Sequence, residues 1–152
     1  MDVEQVRWLP KSGWLPTEPQ ALPKALADRV QLVLLFGSRL ALADRDLLAT
    51  LRSAYPQAQF LGCSTAGEIH GTEVSDGGLV ATAIAFETTK ITTVETEITD
   101  GADSYAAGDR LARLLEPEGL VHVFLLSDGL NINGSQLVAG VIAGLPLSLI
   151  HI

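Results

Sequence analysis

The sequence has little positive charge, a single cysteine, few aromatic residues and no long apolar run. Its 10 Lys and Arg residues are outnumbered by 18 Asp and Glu residues, which gives a formal net charge of −8. The chain therefore lacks the basic surface that nucleic acids and anionic membranes attract. No apolar run approaches the ~20 residues of a membrane-spanning helix, and the acidic start shows no apolar signal segment. We expect a cytoplasmic protein that binds neither nucleic acid nor membrane.

What the chain does contain is enough apolar sequence for one globular domain with a core, since 47% of its 152 residues are hydrophobic. Apolar periodicity predicts five strands and three main helices. The strands fall at 30–36, 59–61, 79–86, 90–98 and 120–126, and the helices at 44–54, 104–116 and 136–143. Capping-box spacing indicates a further short helix between residues 17 and 29. The main order, β-α-β-β-β-α-β-α, predicts an α/β fold (with α+β as the alternative) in which helices pack on a mixed sheet.

A first loop, residues 62–67, consists only of small residues and directly follows a predicted strand. Small residues bring backbone N–H groups close to whatever lies above them. We therefore expect this loop to form part of a ligand pocket, with Glu68 at its edge. The ligand-binding residues predicted here are Gly62, Cys63, Ser64, Thr65, Gly67 and Glu68.

A second loop, residues 127–135, follows the strand predicted at 120–126. Loops at the carboxyl ends of strands bind ligands in open α/β sheets, so Asp128 and Asn133 are the ligand-binding candidates here. If the two loops meet, they form a polar, acidic pocket for a small ligand that carries an amine or a hydroxyl group. The alternative is that Asp128 belongs to a simple turn and Asn133 only caps the next helix.

The cysteine and two histidines allow sharper interpretations. Cys63 could be a nucleophile with His70 or His122 as its base, but it fits equally well as a small packed residue. His122 lies within a predicted strand and His70 in a loop, and either is a candidate haem ligand, although a core or edge histidine is the plainer interpretation of His122. No spacing among these residues matches a metal motif, so we predict no metal site.

The last residues, 147–152, read Leu-Ser-Leu-Ile-His-Ile. One valid back-translation, CTG TCT CTT ATA CAC ATC, matches a transposon end used in preparing sequencing libraries. We therefore expect 147–152 to be non-native read-through and 1–146 to be a partial domain whose sheet is incomplete at the C-terminus. A genuine apolar tail is the alternative, and the source nucleotide sequence distinguishes the two.

Several strings of the chain together resemble the N-terminal part of the FIST family. They are Leu-Leu-Phe-Gly-Ser at 34–38, Phe-Leu-Gly-Cys-Ser-Thr-Ala-Gly-Glu-Ile at 60–69, Leu-Ser-Asp-Gly-Leu at 126–130, Asn-Gly-Ser at 133–135 and Val-Ala-Gly at 138–140. The resemblance implies a cytoplasmic sensory domain of bacterial signal transduction that binds small molecules such as amino acids. Some relatives look like haem-binding nitric-oxide sensors that act on histidine kinases. The resemblance also implies a second FIST half, which this sequence does not contain.

We accordingly expect a non-catalytic ligand-binding sensor that regulates a histidine kinase. A haem-dependent nitric-oxide sensor is one alternative, and a cysteine-dependent hydrolase is another. A third interpretation is a protein–protein module whose pocket no longer binds a ligand.

Overall fold

The computed structural model describes residues 1–15 and 27–145. The chain divides into two compact units, Met1–Ile91 and Thr92–Ile152. Most of the short helix predicted between residues 17 and 29, and all of the tail at 147–152, lie outside the described residues. Each unit is built on a different kind of secondary structure.

The first unit is built on a five-stranded mixed sheet with the order β2-β1-β7-β3-β4. Its strands are β1 (Asp2–Leu9), β2 (Gly13–Leu15), β3 (Leu32–Gly37), β4 (Gln59–Ser64) and β7 (Leu79–Ala85). Only β3 and β4 run parallel; the other neighbours are antiparallel. The carboxyl ends of β3 and β4 therefore meet at one end of the sheet, opposite the start of β7.

One face of this sheet carries the core. Val6, Val33 and Ala81 are almost fully buried on it, as the period-two alternation of side chains requires. Two helices cover this face, α1 (Arg39–Ala43) and α2 (Arg45–Ala54). The Ser38 hydroxyl accepts the Ala41 N–H at the start of α1. The Asp44 carboxylate accepts the Asp46 and Leu47 N–H groups at the start of α2, so both N-termini are capped.

The other part of the first unit is a hairpin of two short strands, β5 (Glu68–His70) and β6 (Glu73–Ser75). Its apolar pair points outward, because Ile69 and Val74 lie opposite each other and are 66% and 75% exposed. Its polar residues point toward the sheet, where Glu73 pairs with Arg7 of β1 at 2.5 Å. Polar contacts rather than apolar burial therefore dock the hairpin.

The second unit, within its described residues up to 145, contains helices and no strand. A 3₁₀ turn (Gly101–Asp103) leads into α3 (Ser104–Leu114), and α4 (Gly134–Gly144) packs against α3. Glycine allows this packing. A Cβ on Gly108 would clash with the Leu137 carbonyl oxygen, and one on Gly140 would clash with the Tyr105 carbonyl oxygen. The two helix backbones are thus nearly in contact.

The mixed sheet with packed helices confirms the predicted α/β class. The predictions of strands at 90–98 and 120–126 are wrong, because neither segment forms a ladder. Their apolar and alternating patterns suit a strand, but a strand also requires a neighbour for its backbone hydrogen bonds. Two short strands, β5 and β6, were not predicted at all, because three residues are too few to show a period.

Candidate functional site

The first loop is shorter than predicted, because Gly62, Cys63 and Ser64 belong to β4. Its remaining residues lie where β3 and β4 end, and the backbone is fixed there by hydrogen bonds. The Thr65 N–H donates to the Gly37 carbonyl oxygen at 2.9 Å. The Ser38 N–H donates to the Gly78 carbonyl oxygen, also at 2.9 Å, which joins the end of β3 to the start of β7. A Cβ on Gly37 would lie 2.9 Å from that same Gly78 oxygen, so only glycine fits there. Three chain segments therefore converge at this end of the sheet, as the predicted loop position implies.

Glu68 is the buried centre of this junction. Its side chain is 1% exposed, and both carboxylate oxygens accept hydrogen bonds. Oε1 accepts the Thr65 hydroxyl at 3.0 Å, and Oε2 accepts the Gly78 N–H at 3.1 Å. A buried carboxylate is stabilised by such bonds and is costly without them. Glu68 thus holds the first loop against β7, and its predicted contact with a ligand stays a prediction.

A partly open cavity of the first unit lies beside Gly62. It has a volume of about 280 Å³ and is lined by Leu35, Leu42, Leu48, Phe60, Leu61, Gly62 and Arg52. Its walls come from β3, β4, α1 and α2, and they are apolar except for the arginine. Gly62 is required at this point, because a Cβ there would clash with the Leu35 carbonyl oxygen. The predicted pocket residue Gly62 therefore borders a real cavity.

Arg52 is the one charged group among the described residues that line this cavity. Its guanidinium carbon lies 5.2 Å from the centre of the Phe60 ring, within the range of a cation–π contact. Among the described residues, Arg52 forms no ion pair with a carboxylate. The cavity thus combines an apolar body with one cationic group at its edge.

The second loop lies at a different depression, in the second unit. This depression has a volume of about 420 Å³, and its walls are residues 99–101 and 130–133. The buried Ser104 joins the two walls, since its hydroxyl donates to the Gly101 carbonyl oxygen and accepts the Asn133 N–H, both at 2.9 Å. The Asn133 side-chain oxygen accepts the Gln136 N–H at 3.1 Å and caps α4. The capping role considered for Asn133 is therefore present in the structure.

Asp128 forms a local turn at the surface. Its carboxylate accepts the Leu130 N–H at 2.9 Å and the Asn131 side-chain N–H at 2.8 Å. These bonds, the backbone one above all, hold the pKa of Asp128 below its ordinary value. Asp128 is thus ionised and exposed, as a ligand-binding carboxylate must be. Thr65 belongs to the first unit and Asp128 to the second, and the prediction that their loops share one site stays a prediction.

The cysteine and the histidines occupy separate surroundings. Cys63 is half-buried in β4, and its side chain forms no hydrogen bond with any described residue. His70 is the last residue of β5, which corrects its predicted place in a loop. Its Nε2 atom lies 3.4 Å from the Gln5 carbonyl oxygen, so this ring faces β1. His122 is exposed in a segment without strand structure, which corrects its predicted place in a strand. In the part of the chain that the structure describes, no group of three His, Cys, Asp or Glu side chains could hold a metal ion.

The first unit is thus an α/β unit in which a short loop of small residues follows β4, one of its two parallel strands. The family model of the FIST N domain matches residues 31–150, so the chain belongs to the FIST family. The FIST domain is a small-ligand sensory domain of signal transduction. No curated protein and no solved structure matches the chain. Over residues 1–15 and 27–145, no helix has the length and apolar character needed to cross a membrane.

The sequence prediction missed Arg52 and Phe60. A signal was present, since Arg52 follows Leu48 by four residues and so lies beside it on the face of α2. The remaining predicted residues are Ser64 and Gly67. Ser64 is exposed at the end of β4, and a Cβ added at Gly67 would lie 3.6 Å from the Ser75 carbonyl oxygen, an ordinary contact distance. Of the predicted residues, Gly62 borders the cavity, whereas Thr65 and Glu68 belong to the hydrogen-bonded junction.

Proposed function

We propose that this chain is the ligand-binding part of a bacterial sensory protein, and that its ligand binds in the first unit at the cavity beside Gly62. The observation that carries the proposal is the cavity of about 280 Å³ in a sensory domain, bordered by the loop that defines the family resemblance. The fixed loop frame supports it, because preorganised walls reduce the entropy lost on binding.

We propose that the ligand is an amino acid or a similar small molecule. We propose further that ligand binding regulates a partner protein, a histidine kinase. Ligand binding would change the contact between the first loop and β7, which is held by Glu68. A ligand shifts the equilibrium between two arrangements of this junction only if it binds one of them more tightly than the other. The exposed pair Ile69 and Val74 lies on the same hairpin as Glu68, and it offers a surface that could report the change.

Thermal-shift measurements on the full chain test the proposal. The panel contains the twenty amino acids, small carboxylic acids, amines and haem, each over a concentration series. We expect a saturable rise in melting temperature with at least one class, because a ligand that binds only the folded state stabilises it. No shift with any class would contradict the proposal. A Soret band after reconstitution with haem, lost in His70→Ala or His122→Ala, would favour the haem sensor instead.

A further inference from the structure

The cavity beside Gly62 also indicates which chemistry it accepts. We propose that it binds a small organic anion, a carboxylate on an apolar or aromatic body, with the carboxylate on Arg52. This inference rests on the proposed function, since it names the ligand class for the same cavity.

The apolar body follows from the walls. Leu35, Leu42 and Leu48 enclose the space, and the Phe60 ring forms part of its surface. At about 30 Å³ per water molecule, a cavity of about 280 Å³ has room for roughly nine waters, which suits a ligand with a single ring or a short chain. A larger ligand such as haem exceeds this space.

The negative charge follows from Arg52. Its planar guanidinium matches a carboxylate with two parallel hydrogen bonds, and it remains charged while it contacts the Phe60 ring. No carboxylate of the described residues occupies it. The chain carries a net charge of −8, so Arg52 is not part of a general basic surface. A cation at the edge of an apolar cavity therefore favours anionic ligands at this one place.

A second donor lies next to the same space. The N–H groups of Gln59 and Thr65 bond toward β3, so strand alternation turns the Gly62 N–H toward the outer edge of β4. Among the described residues of the first unit, no strand pairs with that edge. The Gly62 N–H can therefore bind an oxygen that Arg52 does not use.

The test compares 3-phenylpropionate with 3-phenylpropanamide, which has the same shape and no charge. Both are titrated against the full chain by NMR, and the amides of Gly62 and Phe60 report on the cavity. We expect the carboxylate to bind about tenfold more tightly than the amide, as a charge-assisted hydrogen bond implies. The variant Arg52→Gln should remove this difference, while Arg45→Gln, which removes the same charge from the same helix at a residue that does not line the cavity, should keep it.

A second variant tests the apolar body without touching the arginine. Leu42→Trp fills the space and should weaken both probes while Arg52 is intact. Equal binding of the two probes by the unchanged protein, unaltered selectivity in Arg52→Gln, or no binding of either probe would overturn the proposal. In each of these cases, a rise in melting temperature with another ligand class would still support the proposed sensory function. No rise with any ligand class would contradict both the sensory function and the binding of an organic anion.

Discussion

The two units differ in how they hold the loops that the sequence marks as functional. In the first unit, Glu68 ties the loop at 62–67 to β7 through buried hydrogen bonds at the end of a sheet. In the second, Asp128 and Asn133 hold the loop at 127–135 through a surface turn and a helix cap. Buried bonds are harder to open than exposed ones. The first loop is therefore a fixed frame, and the second is the easier one to rearrange.

Glycine also has a different structural role in each of the two units. Gly37 and Gly62 let strands and loops approach at the candidate site, whereas Gly108 and Gly140 let two helices approach each other. The second unit depends on that approach, because its described core cluster has three buried members and that of the first unit has fourteen. At these four positions glycine thus allows close backbone packing, at the candidate site in one unit and between two helices in the other.

The largest effect is expected from separating the two helices of the second unit. Gly108→Val places atoms against the Leu137 carbonyl oxygen and should lower the free energy of unfolding by about 3 kcal/mol, as overpacking of a tight contact does. Gly134→Val is the matched control, because a Cβ there meets nothing within 4 Å. Urea denaturation gives the free energies. Hydrogen exchange should show α3 and α4 deprotected while β1, β3 and β7 stay protected.

Equal destabilisation by the two valine substitutions would mean that glycine packing does not hold the second unit. Loss of protection in β3 after Gly108→Val would show instead that the two units unfold together.

A smaller effect is expected from opening the junction of the first unit. Glu68→Ala leaves the buried Gly78 N–H without its acceptor and should cost about 2 kcal/mol. Glu68→Gln should cost much less, since its oxygen can accept the Gly78 N–H and its amide can donate to the Thr65 hydroxyl. Urea denaturation of the three proteins measures both differences.

Asp76→Ala is the control, because Asp76 is exposed close to the same junction. It should change the free energy of unfolding by less than about 0.5 kcal/mol. If Glu68→Gln proves as costly as Glu68→Ala, the negative charge matters and the hydrogen-bond frame alone does not account for Glu68.

The smallest effect is a difference in how the units respond to acid. Hydrogen bonds from the Arg110 guanidinium hold the pKa of Asp103 in the second unit below its ordinary value. Asp103 therefore adds stability above the unfolded aspartate pKa of about 3.9, and this stability is lost as the pH falls through its lower folded pKa. Burial instead raises the pKa of Glu4 in the first unit. Its ionisation opposes folding, and that penalty disappears as the pH falls below the ordinary glutamate value of about 4.3.

Carboxyl carbon NMR over a pH series measures both pKa values directly. Arg110→Gln should move the pKa of Asp103 up toward its ordinary value and leave Glu4 unchanged. A pKa of Asp103 that does not respond to Arg110→Gln would show that the ion pair does not govern it.

The sequence predicted the sheet class, the cores of β3 and β7, and α2, because long apolar periods determine these elements. It placed the first loop near a strand end but began it too early, because Gly62, Cys63 and Ser64 belong to β4. The sequence could not predict that Glu68 is buried. Its carboxylate is bonded by the Gly78 N–H, which lies ten residues further along the chain and is brought to it only by the fold. Nor could it predict that 120–126 lacks a ladder, since an apolar pattern does not specify a neighbouring strand.

The half-buried Cys63 makes β4 a convenient place for a reporter group. It is the only cysteine of the chain, so a thiol-reactive fluorophore or spin label attaches at one defined position without prior mutagenesis. Strand alternation directs its side chain to the sheet face opposite Gly62 and Phe60, two of the residues that line the cavity. A label there leaves the proposed binding space open and lies one residue from its wall. The wild-type protein can thus report its own ligand binding in an optical or resonance titration.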